Sequence, residues 1–150
     1  MGSSNVRRVL PASAFSYSVS LRVRHPTLDL SVLTDTLRLE PAHSWRAGEP
    51  RRSQSGEPLG GQHRDSYWSA PLPAQMTGPN TMPLEAFFSQ QVLQLSRHRD
   101  FLSNLQSDGG EISLLIELQP VPNASLTFSS ATARKLADLN IEVEFQFPGD

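Results

Sequence analysis

The side chains that could do chemistry in this chain are four histidines, a group of arginines beside aromatic residues, and the glutamate of a Trp-x-x-Gly-Glu string. His25, His43, His63 and His98 fall in four different segments. A protein metal site needs several convergent ligands, and the common ones announce themselves at spacings such as His-Glu-x-x-His. No histidine here has a partner at ligand spacing, and the chain has no cysteine, which excludes disulfides and thiolate sites. The four read as solvated surface histidines, three in turns or loops and one on a helix. No metal and no cofactor is expected.

Nucleophilic catalysis finds equally little support. Serine is abundant, but no Gly-x-Ser-x-Gly elbow occurs. His43 and Ser44 are sequence neighbours, which does not aim one at the other. His98 and Asp100 are two apart on a helix and point to different sides. Gly60-Gly61 follows no strand and opens no helix, so it is not a phosphate loop. Glu49 lacks the second carboxylate or base that acid-base work requires. No catalytic residue can be named, and an enzyme is the less favoured reading.

Arg46, Arg51, Arg52 and Arg64 form the one local concentration of positive charge, with Tyr67 and Trp68 close by. Arginine beside aromatics suits single-stranded nucleic acid or a phosphorylated ligand. Glu49, Glu57 and Asp65 dilute the group, and the formal net charge is −2. A nucleic-acid partner is therefore not expected. Trp45 and Trp68 read first as core anchors and second as ligand platforms, since tryptophan buries a large apolar area. The candidate binding residues are Trp45, Arg46, Glu49, Arg64 and Trp68. The favoured function is a non-catalytic binding or interaction module with a protein partner. The alternative is a small-anion-binding protein or enzyme anchored by Arg46 or Arg64.

These residues must be positioned by a single domain, which 150 residues fit comfortably. Residues 1–14 show no periodicity and read as a disordered lead-in. From Phe15 to Val23 apolar residues alternate with serine and arginine, the pattern of a half-buried strand. His25-Pro26 ends it, Thr27 or Asp29 can cap a helix, and Leu30, Leu33 and Leu37 fall at helical spacing. The stretch 41–83 is rich in proline and glycine. Short strands are expected at 44–46 and 66–69, with a long flexible insertion near 50–66 and least order at 51–64. Leu84, Phe88, Val92, Leu95, Leu102 and Leu105 make the stripe of one long helix, stopped at Asp108-Gly109-Gly110. Strands are expected over 112–118, 126–128 and 141–147, and a helix capped by Ser129 or Ser130 with Ala133, Leu136, Ala137 and Leu139 facing inward. This order predicts an α+β fold, a mainly antiparallel sheet with helices packed on one face, related to the ferredoxin-like arrangement. No apolar run approaches bilayer length and no signal-peptide core follows Arg7-Arg8, so a cytoplasmic protein is expected.

The string Leu37-Arg-Leu-Glu-Pro-Ala-His-Ser-Trp-Arg-Ala-Gly-Glu49 resembles the bacterial family called domain of unknown function 4279. Leu39, Pro41, Trp45, Gly48 and Glu49 carry the resemblance, with Trp68, the helix at 84–105, and Leu136, Ala137, Leu139 and Ile141 near the end. The resemblance covers most of the chain after Phe15. It implies a fold of strand, helix, tryptophan-bearing strands, long helix and closing helix-strand unit, and implies no activity.

Overall fold

The computed structural model describes residues 16–72, 83–119 and 125–147. The expected lead-in at 1–14 lies outside them. The alternation that starts the domain becomes strand β1 (Ser16–His25). Its apolar set, Tyr17, Val19, Leu21 and Val23, is buried, while Ser18, Ser20 and Arg22 on the opposite side are half-buried. Burial raises the Tyr17 phenol above its ordinary pKa.

β1 is the centre of a five-stranded sheet. The other members are β2 (His43–Trp45), β5 (Ser66–Pro71), β6 (Glu111–Gln119) and β7 (Glu142–Gln146), in the order β2-β5-β1-β6-β7. The first three pairings are antiparallel and β6–β7 is parallel. β5 lies between β1 and β2, which splits the first β-α-β unit in the ferredoxin-like manner. β7 is an addition to that core, and its parallel pairing with β6 requires the crossover that helix α4 supplies.

The helices are α1 (Ser31–Leu37), α2 (Leu84–Ser96), α3 (Arg99–Ser107) and α4 (Ser130–Asp138). Their buried residues join the inner face of the sheet in one cluster that includes Leu33, Phe87, Phe88, Leu102, Trp68 and Ile116. Among the described residues, no helix is long and apolar enough to cross a membrane.

The single helix expected over 84–105 is two. After Leu95 the next inward position falls at His98 or Arg99, and neither can hold the helix on an apolar core. The chain tightens there, with His98 N donating to Leu95 O at 2.9 Å, and restarts as α3. In α4 the inward stripe is Thr132, Leu136 and Leu139, and Ala133 and Ala137 are exposed. The Ser129 hydroxyl caps α4 by accepting from Thr132 N at 3.2 Å. Ser129→Ala should cost about 1 kcal/mol in urea unfolding. An unchanged midpoint would show that the cap contributes nothing.

Residues 126–128 are not a strand. β7 already occupies the place beside β6, so Phe128 instead inserts its ring between Phe88 and Phe145, at 4.6 and 6.1 Å between centroids. The segment expected to be a structureless loop is a hairpin of β3 (Pro50–Arg52) and β4 (Pro58–Gln62). Both strands are exposed throughout. The scarcity of apolar residues correctly says that nothing is buried there. A hairpin, however, needs only backbone pairing and a turn, and Gly56 supplies the positive φ, with its N donating to Ser53 O at 2.9 Å.

His25 is a correction of a different kind, because it is a core residue only 1% exposed. Its Nδ1 accepts from the backbone N–H groups of Thr27 and Leu28, at 3.1 and 2.9 Å. Nε2 therefore carries the proton and donates to Asp108 Oδ2 at 3.0 Å. The ring turns the chain out of β1 and ties it to the end of α3. The Asp29 carboxylate then accepts from Ser31 N at 3.0 Å, and that bond lowers its pKa.

Candidate functional site

Among the described residues, helices cover one face of the sheet and none covers the other. Because side chains alternate along each strand, the registers fix which of them are neighbours on the open face. One row runs Trp45, Tyr67, Arg24 and Glu111 across β2, β5, β1 and β6. The next runs His43, Ser69, Arg22, Ser113 and Glu142. The small residues Ser69 and Ser113 flank Arg22 and leave a depression around it.

The first row is a continuous stack. Tyr67 packs on Trp45 with ring centroids 4.8 Å apart, and the Arg24 guanidinium lies 4.9 Å from the Tyr67 centroid. His63, from the base of the hairpin, stacks on Trp45 at 4.2 Å and 12° between planes. Two backbone bonds hold it there: Gly48 N donates to His63 O and His63 N to Glu49 O, both at 2.9 Å. Arg24 also contacts Asp65 at 3.5 Å, and Arg22 is paired with Glu144. Trp45 Nε1 and Arg22 Nε are buried N–H donors with no acceptor among the described residues.

Two cavities adjoin the row. One, of about 290 Å³, lies between Arg22, Arg24, Tyr67, Glu111, Glu142 and Glu144. The other, of about 230 Å³, lies between Arg24, Arg64, Asp65 and Glu111 at the strand ends. Both are lined by charges of both signs.

The sequence candidates separate. Trp45 is half-buried and sits within the stack. Trp68 is fully buried on the opposite face of β5, with its Nε1 donating to Thr34 Oγ1 at 3.1 Å, so it is a core anchor and not part of the surface. Glu49 closes a turn: its Oε1 accepts from Arg46 N at 2.7 Å, and its N donates to Arg46 O at 3.0 Å. Gly48, at φ 90°, takes the position that only glycine fills easily in a type II turn. The Trp-x-x-Gly-Glu string is thus the corner that turns β2 into the hairpin. The Arg46 side chain reaches the Thr27 carbonyl at 3.4 Å. Arg64 borders the second cavity and is not gathered with Arg46 and Glu49.

Arg22, Arg24 and His63 stood outside the binding candidates named from the sequence, and Tyr67 counted there only as one of the aromatics beside the arginine group. The arginines stood on a face read as merely solvated, and the alternation that placed them there was their only signal.

His25 and Asp108 resemble half of a catalytic triad, but both imidazole nitrogens are committed and the ring is sealed from solvent. Among the described residues, no group of three or more His, Cys, Asp or Glu side chains is arranged to hold a metal ion.

No curated protein and no solved structure matches this chain. A model of one family, described as Domain of unknown function (DUF4279), matches residues 15–149. The match spans the whole sheet, its helices and the turn at Trp45–Glu49 alike, and the chain belongs to that family.

Proposed function

We propose that this chain is a non-catalytic binding module that engages a protein partner through the open face of its sheet, in the cytoplasm. The observation that carries this reading is the stacked row of His63, Trp45, Tyr67 and Arg24 on a face that, among the described residues, has no helix over it. Tyrosine, tryptophan and arginine are the residues that dominate binding energy at protein interfaces. The orphaned donors Trp45 Nε1 and Arg22 Nε add to it. A partner that reorders these side chains and supplies acceptors removes a penalty of about 1–3 kcal/mol per group.

A small-molecule site is less well supported. The cavities on this face, at about 290 and 230 Å³, are lined mainly by charged side chains and fall below the usual range of ligand pockets. Of the two anchors of the small-anion reading, the Arg46 side chain leans on the Thr27 carbonyl, and Arg64 borders a cavity that Asp65 and Glu111 share.

The test is affinity capture from native lysate with the intact chain, with an Arg24→Ser/Tyr67→Ser variant, and with Arg134→Ala as a remote control. The same proteins are put through a thermal-shift screen of metabolites. The proposal expects a protein captured by the wild type and the control and lost with the double variant, whose unfolding temperature stays close to wild type. A stabilising metabolite with no captured protein would sink it.

A further inference from the structure

The sheet ends at β7, which among the described residues pairs with β6 on one side only. An edge strand leaves roughly half of its backbone N–H and C=O groups aimed outward, a template for another strand. Natural edges are usually blunted by proline, lysine, a bulge or brevity. β7 has no proline, lysine or bulge: it is five residues, Glu142-Val-Glu-Phe-Gln146, in regular register with β6 throughout, and its only charges are the two glutamates.

Its two faces differ. On the open face stand Glu142 and Glu144, next to Glu111 and Glu117 of β6. Glu144 is held by Arg22, and Glu142 has no hydrogen-bond or ion-pair partner among the described residues. On the helix face, Phe145 is 40% exposed although it stacks on Phe128, and Phe147 beyond the strand is 59% exposed. The edge is therefore acidic on one side and apolar on the other, with free backbone between.

A second copy of this chain does not suit it. In the antiparallel register that uses the whole strand, Glu144 would lie opposite its own copy, and like charges directly opposite are destabilising. A strand of opposite charge satisfies every feature at once. We infer that the β7 edge accepts an extended segment of another protein in which lysine or arginine alternates with apolar residues. Its backbone completes the ladder, its basic side chains meet Glu142 and the neighbouring glutamates, and its apolar side chains cover Phe145 and Phe147. The outward backbone and the Phe145–Phe147 side lie away from the Trp45–Tyr67–Arg24 row, while Glu142 and Glu144 border the same cavity as Arg24 and Tyr67.

The probe is a seven-residue acetylated peptide of alternating lysine and valine, with a peptide of the same composition in scrambled order as control. Binding to the isotope-labelled full chain is followed by backbone amide shifts. The inference expects shifts centred on Glu142–Gln146, and binding about tenfold tighter for the alternating peptide than for the scrambled one. Glu142→Lys should weaken the alternating peptide about tenfold and Glu142→Gln by less, while Arg24→Ser/Tyr67→Ser, which removes a cation from the shared cavity, should not weaken it. Equal binding of both peptides, or indifference to Glu142→Lys in a folded variant, would overturn it. So would shifts confined to Trp45 and Tyr67. Amide exchange in the free protein as slow across all of β7 as in β6 would mean that the edge is already covered, and the inference fails.

Discussion

Trp68→Ala is expected to lower unfolding free energy by about 3–5 kcal/mol, the range for removing a large aromatic from a packed core. A domain of this size has about 5–15 kcal/mol in total, so the variant should be barely folded at physiological temperature. The indole is wholly buried between β5 and α1 and touches water nowhere. Its truncation removes the packing of the ring and strands the Thr34 hydroxyl, which now accepts from Nε1 at 3.1 Å. Trp68→Phe separates the two effects, because it keeps most of the volume and loses only the hydrogen bond. It should cost about 1–2 kcal/mol. Urea unfolding followed by far-ultraviolet circular dichroism gives both numbers. The matched substitution Trp45→Ala removes a half-buried ring and should cost distinctly less. Equal losses at the two tryptophans would mean that Trp45 is a second core anchor and not the centre of a surface.

His25→Phe is the second large effect. The phenyl ring fills the imidazole's space but accepts nothing, so the N–H groups of Thr27 and Leu28 lose their shared acceptor. An unsatisfied buried donor costs about 1–3 kcal/mol, and two in one turn put the expected loss at about 2–4 kcal/mol. Asp108 gives the contrast. Its side chain is 72% exposed, so its pairing with His25 is worth little, and Asp108→Asn should cost less than about 1 kcal/mol. Should Asp108→Asn prove as damaging as His25→Phe, the tie between β1 and α3 would be the important element, and the turn bonds secondary. Neither substitution touches the open face, so binding there by whatever protein survives as folded should be unaltered.

These residues also show how much was legible beforehand. Strands β1 and β6 were readable because each has one face in the core and the other toward water, which writes a period of two into the residue types. β7 carries the same period although its apolar face is only partly covered. The ends of α3 and α4 were readable because chain reversal demands local chemistry: Asp108-Gly109-Gly110, and Asn140 with φ 54°. The break between α2 and α3 was half-legible. Polar residues at His98 and Arg99 interrupt the stripe, but whether a helix bridges such a gap depends on what it packs against.

His25 could not be recognised as buried, since it follows four buried apolar residues at the same parity only if the strand runs two residues past the last valine. The hairpin at residues 50–62 was hidden because backbone pairing between exposed strands leaves no hydrophobic pattern. The two tryptophans were the sharpest ambiguity. Trp45 and Trp68 are the same residue type on adjacent strands, and the registers that set Ser44 opposite Trp68, and Trp45 opposite Tyr67, send them to opposite faces of one sheet.

The α+β class, the approximate bounds of most elements and the family could be read from the residues alone, because each of these rests on local periodicity, capping or short strings of residues. Tertiary structure alone decided the candidate surface. Arg24, Tyr67, Trp45 and His63 come from four segments, and only the pairing of β2, β5 and β1, with the hairpin folded back at Gly48, sets them in one row. It likewise decided that β7 would be an edge, because strand order depends on which strands find one another across long loops, and side-chain alternation within a strand carries no record of its neighbours.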